Sequence, residues 1–129
     1  MSRDHRKLRV FHLADQWAVE VYRLTQQFPN EERYGLQSQI RRAAVSTAAN
    51  LVEGCARSTT KDYLHFVAIA LGSASEARYL VDLSARLGFL KSDQSAELDQ
   101  QAELLVRGLQ SLHSSLSIAG LPQPDARSP

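Results

Sequence analysis

The sequence has few of the features that would direct a protein to a particular compartment. Its 129 residues contain a single cysteine, Cys55, so no internal disulfide can form. No apolar run approaches the roughly 18 residues needed to span a bilayer. The N-terminal stretch MSRDHRKLRV lacks the apolar segment of a secretory signal. We therefore expect a cytoplasmic protein with no membrane segment.

Residue patterns typical of catalysis or metal binding are also missing. Cys55 has no histidine within a helical turn of it in sequence, which argues against a nucleophile–base pair and favours a structural or interface thiol. The four histidines show neither His-x₃-His nor Glu-x₂-His spacing, and no Gly-rich phosphate loop occurs. We predict a protein that is not an enzyme and that holds no cofactor and no metal.

Charge of either sign is nearly balanced, at a net +1. The halves differ: residues 1–57 carry nine Lys or Arg against six Asp or Glu, and residues 58–129 carry six against eight. The net charge of +3 on residues 1–57 is a weak indication of nucleic-acid binding, because a dedicated DNA-binding module carries a much stronger basic patch. Solvated surface charge is the alternative interpretation.

Helical periodicity is what the sequence does contain, in four segments with short connections and no strand pattern. We predict helices over residues 12–27, 34–56, 60–87 and 92–118. Such a pattern indicates an all-α fold, an antiparallel up-and-down four-helix bundle. The predicted domains are a polar basic N-terminal segment (1–11), the bundle (12–118) and a disordered Pro-rich tail (119–129).

Several local signals set the predicted helix ends and the core. Thr59 followed by Asp62 resembles a capping box at the start of the third helix. Gly88 is placed to end that helix as a C′ glycine, and Ser92 to cap the fourth. Apolar residues spaced by four and three predict the core seam of the fourth helix: Leu98, Ala102, Leu105, Leu109, Leu112 and Leu116.

The second and third helices are apolar around more of their circumference than one bundle core needs. In the second helix, Val45, Ala48, Val52 and Cys55 extend the apolar surface to about 200°, whereas a surface helix needs about 100°. In the third helix, Phe66, Ile69, Ala70, Ala77 and Leu80 lie beyond the core stripe. We therefore expect the excess surface to contact further copies of the chain.

A stripe of polar residues follows one edge of the second helix: Gln39, Ser46, Asn50, Glu53 and Arg57. Asn50, Glu53 and Arg57 are spaced to form a hydrogen-bonded chain. One interpretation is a packing-edge network that sets helix register or the subunit contact. The other is a ligand or phosphate site that uses Arg42, Arg57 and Asn50.

The residue order of this region resembles that of a known family, the four-helix-bundle proteins encoded in intervening sequences of bacterial 23S ribosomal RNA genes. The resemblance covers about Leu13 to Leu90. Two departures lie in the second helix: Ser46-Thr47-Ala48-Ala49 replaces the common Ser-Ile-Pro-Ala, and Cys55 replaces an aromatic. The matching residues are Phe28-Pro29, Glu32-Arg33, Gly35-Leu36, Gln39-Ile40-Arg41-Arg42-Ala43, Ser46, Ala49-Asn50, Glu53-Gly54, Arg57, Phe66, Ala70, Gly72-Ser73, Glu76 and Gly88-Phe89-Leu90.

The resemblance implies a bundle that assembles into a ring-shaped homopentamer. A related group, the accessory proteins of diversity-generating retroelements, is similar in fold and is associated with nucleic acid and a reverse transcriptase. The partners that this implies are further copies of the chain, RNA or DNA, and a nucleic-acid-processing protein.

We predict an oligomeric, non-catalytic protein that associates with RNA. The phosphate-contacting candidates are Arg33, Arg41, Arg42 and Arg57. The alternative is a protein–protein scaffold whose arginines only hold subunits together.

Overall fold

The structure, a computed structural model, describes residues 3–119. Within this range the chain forms four α-helices and no strand: α1 (Arg9–Thr25), α2 (Leu36–Cys55), α3 (Thr60–Arg86) and α4 (Ser92–Ala119). Short 3-10 turns at His5–Lys7 and Asn30–Glu32 precede α1 and α2. The all-α prediction with four helices is confirmed. The predicted tail lies outside the described residues except for Ala119, which ends α4.

Local capping explains where α3 begins and ends. The Thr59 side chain accepts a hydrogen bond from the Asp62 backbone N–H at 3.1 Å, as the sequence predicts. At the other end Gly88 has a φ of +81°. The Gly88 N–H donates to the Ala85 carbonyl, and the Phe89 N–H donates to the Ser84 carbonyl. These two bonds make a Schellman motif, so the predicted role of Gly88 is confirmed.

Helix α1 begins at Arg9, three residues before the predicted start. The reason is tertiary, because Val10 is buried and packs on α4 at Gly108. A Cβ atom at Gly108 would lie 3.0 Å from Val10 Cγ2. This close approach leaves little room for a side chain at position 108 of α4.

The helices pack in sequence, α1 on α2, α2 on α3 and α3 on α4, and α4 also contacts α1. They enclose one hydrophobic core, in which Trp17 is buried and donates from Nε1 to the Leu98 carbonyl at 3.0 Å. The predicted α4 seam is buried at Leu98, Ala102, Leu105 and Leu109, while Leu112 and Leu116 are only partly buried. No helix within residues 3–119 is both long enough and apolar enough to cross a membrane.

Much of the excess apolar surface predicted for α2 and α3 lies inside this same core. Cys55, Ala70, Ala77 and Leu80 are all buried within the chain, so the expectation that they need a second partner is wrong. The cause is the close packing of α2 on α3, which lets small side chains on two sides of each helix reach the core. The apolar residues left exposed along the two helices are Val45, Ala49 and Val52 on α2 and Ala68, Ile69 and Tyr79 on α3; Ala56 and Leu87, which directly follow the two helices, are exposed as well.

Candidate nucleic-acid interface

Three of the four predicted phosphate-contacting arginines lie together. Arg33, Arg41 and Arg42 line an open groove of about 370 Å³ at the start of α2. The fourth, Arg57, follows the far end of the same helix. It lies about 22 Å from Arg42 along the helix axis, at 1.5 Å per residue. The remaining lining residues are Tyr22, Tyr34, Gln37, Ser38 and Val45. We call this the Arg–Tyr groove.

Arg41 is held in place by α1. Its Nε donates to Thr25 Oγ1 at 2.8 Å, and its Nη2 donates to the Tyr22 carbonyl at 3.1 Å. The guanidinium lies over the Tyr22 ring, 4.5 Å from the centroid. The Gln37 amide, with its oxygen turned toward Arg41, also accepts from Nη1 at 3.2 Å and Nη2 at 3.0 Å. Because the last carbonyls of a helix lack intrahelical partners, this cation stabilises the C-terminal end of α1.

Arg33 and Arg42 are the exposed cations of the groove. The Arg33 guanidinium lies 5.7 Å from the centroid of the neighbouring Tyr34 ring. Within residues 3–119, arginine–carboxylate ion pairs involve Arg6, Arg23, Arg57, Arg78, Arg86 and Arg107, and none of the groove arginines. No carboxylate is among the described residues that line the groove. The groove therefore carries three positive charges without a paired anion.

Arg57 has a different environment from the groove arginines. Its Nη2 pairs with Glu53 Oε1 at 2.9 Å, and its guanidinium covers the Phe66 ring at 4.6 Å. An arginine that is already neutralised and stacked is a weaker phosphate ligand, because that contact must be lost or shared.

The polar stripe of α2 divides into separate groups. Asn50 Nδ2 donates to the Ser46 carbonyl at 2.8 Å and to Ser46 Oγ at 3.0 Å, and the two hydroxyl oxygens of Ser46 and Ser73 lie 2.9 Å apart. This group joins α2 to α3. Glu53 pairs with Arg57 and, within residues 3–119, has no hydrogen bond to Asn50, so these contacts do not form the single chain through Asn50, Glu53 and Arg57. Gln39 is exposed and lies apart from both groups.

A contact at the start of the chain was not predicted from the sequence. The Arg3 N–H donates to the Cys55 carbonyl at 2.6 Å, and Arg3 Nη2 donates to Thr60 Oγ1 at 3.3 Å. The Arg3 guanidinium lies 4.4 Å from the centroid of the Tyr63 ring. Burial raises the pKa of the Cys55 thiol and raises the pKa of the Tyr63 hydroxyl far above its ordinary value. Both groups are therefore neutral at physiological pH.

The structure brings together no metal-binding cluster in the part of the chain that it describes. No group of three or more His, Cys, Asp or Glu side chains within residues 3–119 is arranged to hold an ion.

Comparison with known proteins agrees with this fold. The family described as "23S rRNA-intervening sequence protein" matches residues 6–111, so the chain belongs to that family. The match extends into α4, beyond the region of resemblance recognised from the residue order.

A solved structure is also similar: a protein of unknown function from the S23 ribosomal protein family of Bacteroides thetaiotaomicron. The two chains superimpose with a TM-score of 0.75 at 24% identity, over 81% of this chain and 97% of the other. At this identity the likeness establishes the fold alone. A search of curated proteins found no match.

Proposed function

We propose that this chain is a non-catalytic protein that assembles into a ring of antiparallel four-helix bundles and binds nucleic acid, RNA in particular, through the Arg–Tyr groove. The observation that carries the proposal is the unpaired positive charge of Arg33, Arg41 and Arg42 in one open groove. Counterion release from phosphates makes such charge the main source of sequence-independent affinity. Repeating the groove around a ring multiplies the attraction, since one long strand can then contact several subunits.

Self-association is supported by the apolar residues that the bundle leaves exposed. Val45, Ala49, Val52 and Ala56 follow each other at four, three and four residues, so they form one stripe along the outside of α2. Ile69 on α3 is exposed as well. Small side chains on an exposed helix permit close approach of another helix, which makes this stripe our proposed subunit contact.

The non-catalytic part of the proposal is supported by the state of Cys55. The thiolate is the nucleophilic form of cysteine, and burial of Cys55 raises the pKa of its thiol. The side chain is also completely inaccessible in the bundle. A cytoplasmic location is part of the proposal and fits a chain whose single cysteine, Cys55, is free.

A protein–protein scaffold is the second candidate. It is favoured by Arg41 and Arg57, which both make contacts within the chain rather than pointing freely into solvent. Arg42 is exposed and has no ion pair within residues 3–119. Substitution of Arg42 therefore distinguishes the two candidates, because it should weaken nucleic-acid binding only if the groove binds nucleic acid.

We expect the protein to be an oligomer at micromolar concentration. Sedimentation velocity should give a mass several times the 14.4 kDa of one chain, with five copies as the expected number. Val52→Glu, which puts a charge into the exposed stripe but outside the Arg–Tyr groove, should shift the population toward monomers. The matched control is Val19→Glu, because Val19 is exposed on α1, away from the stripe. A monomeric wild-type chain would contradict the ring.

We expect affinity for RNA to fall steeply with salt, because each neutralised phosphate releases counterions. Arg42→Ala should weaken binding at low salt and lower the slope of log affinity against log salt by about 0.7 for a single strand. The control is Arg86→Ala, which removes an exposed arginine that is paired with Asp82 on α3. If the intact oligomer binds neither RNA nor DNA at low salt, the scaffold is the better description.

A further inference from the structure

We infer that the Arg–Tyr groove takes single-stranded nucleic acid, with a base stacked on Tyr34 and its phosphates on Arg33 and Arg42. This inference rests on the proposed function and names the class of ligand. Its starting point is Tyr34, which is 88% exposed and is the most exposed large apolar residue within residues 3–119. The bundle core does not use this ring, and an aromatic ring in water is available to stack on another π-system.

The turn that carries Tyr34 is held by backbone hydrogen bonds on both sides. The Arg33 N–H donates to the Asn30 carbonyl at 3.1 Å, and the Gly35 N–H donates to the Glu32 carbonyl at 3.1 Å. Helix α2 begins directly afterwards at Leu36, which is buried. The ring is therefore presented from an ordered backbone, so stacking a base on it requires little further ordering of the main chain.

A second tyrosine offers a similar surface in the same groove. Tyr22 is 44% exposed, and Arg41 covers part of its ring. The hydrogen bonds from Arg41 to Thr25 Oγ1 and to the Tyr22 carbonyl fix that guanidinium. Each tyrosine thus has an arginine beside its ring, and a cation on one side of a ring is compatible with a base on the other.

The combination of exposed aromatic rings and unpaired arginines is what selects a single strand. In a duplex the faces of the bases are covered by their neighbours, so two tyrosines could reach only phosphates and sugars. In a single strand the bases can unstack and lie on aromatic side chains, while arginines follow the backbone. Duplex binding would use the arginines alone and would leave both tyrosines unused.

The test compares two forms of one sequence on the full-length oligomer. The probe is a fluorescent RNA of about 8 nucleotides, within the 4–16 that such grooves contact; it is measured as a single strand and as a duplex with its complement, by anisotropy at low salt. We expect tighter binding of the single strand. Tyr34→Ala should weaken that binding by about 5- to 150-fold, the range found for loss of one base–aromatic stack.

Further variants separate stacking from apolar contact. Tyr34→Phe keeps the ring and should retain most of the affinity, whereas Tyr34→Leu keeps an apolar side chain without the ring and should lose it. The matched control is Tyr79→Ala, since Tyr79 is 56% exposed on α3 and lies outside the groove. Because both tyrosines are exposed, each variant should keep the wild-type helicity and sedimentation.

The outcomes distinguish this inference from the proposed function. Equal binding of strand and duplex, with Tyr34→Ala unchanged, would overturn the single-strand inference and leave a phosphate-binding groove. Equal losses for Tyr34→Ala and Tyr79→Ala would also overturn it, because the effect would not be specific to the groove. No binding of any nucleic acid would remove both proposals. Weaker binding in Tyr34→Ala and Tyr34→Leu only, and only for the single strand, is the supporting result.

Discussion

Leu105→Ala should lower the free energy of unfolding by about 2–5 kcal/mol, the range measured for buried leucines. Leu105 is 1% exposed and belongs to the α4 seam that packs into the core. The loss combines the transfer free energy of the removed carbons with the cavity that the surrounding helices cannot fill. Denaturant unfolding followed by circular dichroism measures this loss, at one fixed protein concentration so that any self-association contributes equally to each variant.

Leu104, the residue before Leu105, provides the control. Leu104 has the same side chain but is 57% exposed, and Leu104→Ala should change the free energy of unfolding by no more than about 0.5 kcal/mol. Two leucines adjacent on a helix differ by 100° in direction, so the pair tests the rotation of α4 about its axis. A larger loss for Leu104→Ala than for Leu105→Ala would mean that α4 presents a different face to the core.

Gly54→Ala should lower the free energy of unfolding by about 1–3 kcal/mol, the usual cost of overpacking. A Cβ atom at Gly54 would lie 2.9 Å from Phe66 Cβ and 3.1 Å from Tyr63 Cδ1. Neither atom is the free end of a flexible side chain, so α2 and α3 must move apart to make room. In an open helix position the same change would stabilise by about 0.5–1 kcal/mol, so the expected sign depends entirely on this contact.

Gly72 on α3 is the matched control for Gly54. Among residues 3–119, no atom outside the adjoining residues and turns of α3 lies within 4 Å of a Cβ built at Gly72, and Gly72→Ala should therefore stabilise the helix by about 0.5–1 kcal/mol. The two substitutions are chemically identical and lie in neighbouring helices, yet they should shift the unfolding midpoint in opposite directions. Shifts of the same sign and size would contradict the close approach of α2 and α3 at Gly54.

The helices and their ends could be predicted from the sequence where the signal is local. The Thr59 cap needs only a hydroxyl three residues before an amide, and the Gly88 cap needs only a residue that tolerates positive φ. The start of α1 could not be predicted in this way. Arg9 and Val10 are helical because Val10 packs against Gly108, which lies about 100 residues further along the chain.

The expectation that the excess apolar residues of α2 and α3 contact further copies of the chain is wrong for those that lie in the core. Periodicity shows that these helices are apolar over a wide arc, but it does not distinguish a residue buried within the chain from one left for a partner. Ala70, Ala77 and Leu80 are in the core, whereas Val45 and Val52 are exposed. The difference depends on how closely α2 and α3 pack, and that distance is a property of two helices together.

The sequence by itself determined the all-α class, the number of helices and the buried part of the α4 seam from Leu98 to Leu109, because hydrophobic spacing and capping act within one helix. It also identified four arginines as candidate phosphate ligands, but it did not distinguish among them. Only the tertiary structure separated them: it placed Arg41 on the end of α1, paired Arg57 with Glu53, and joined Arg33 and Arg42 with two tyrosines. A charge is visible in a sequence, whereas its pairing and exposure depend on which residues folding brings beside it.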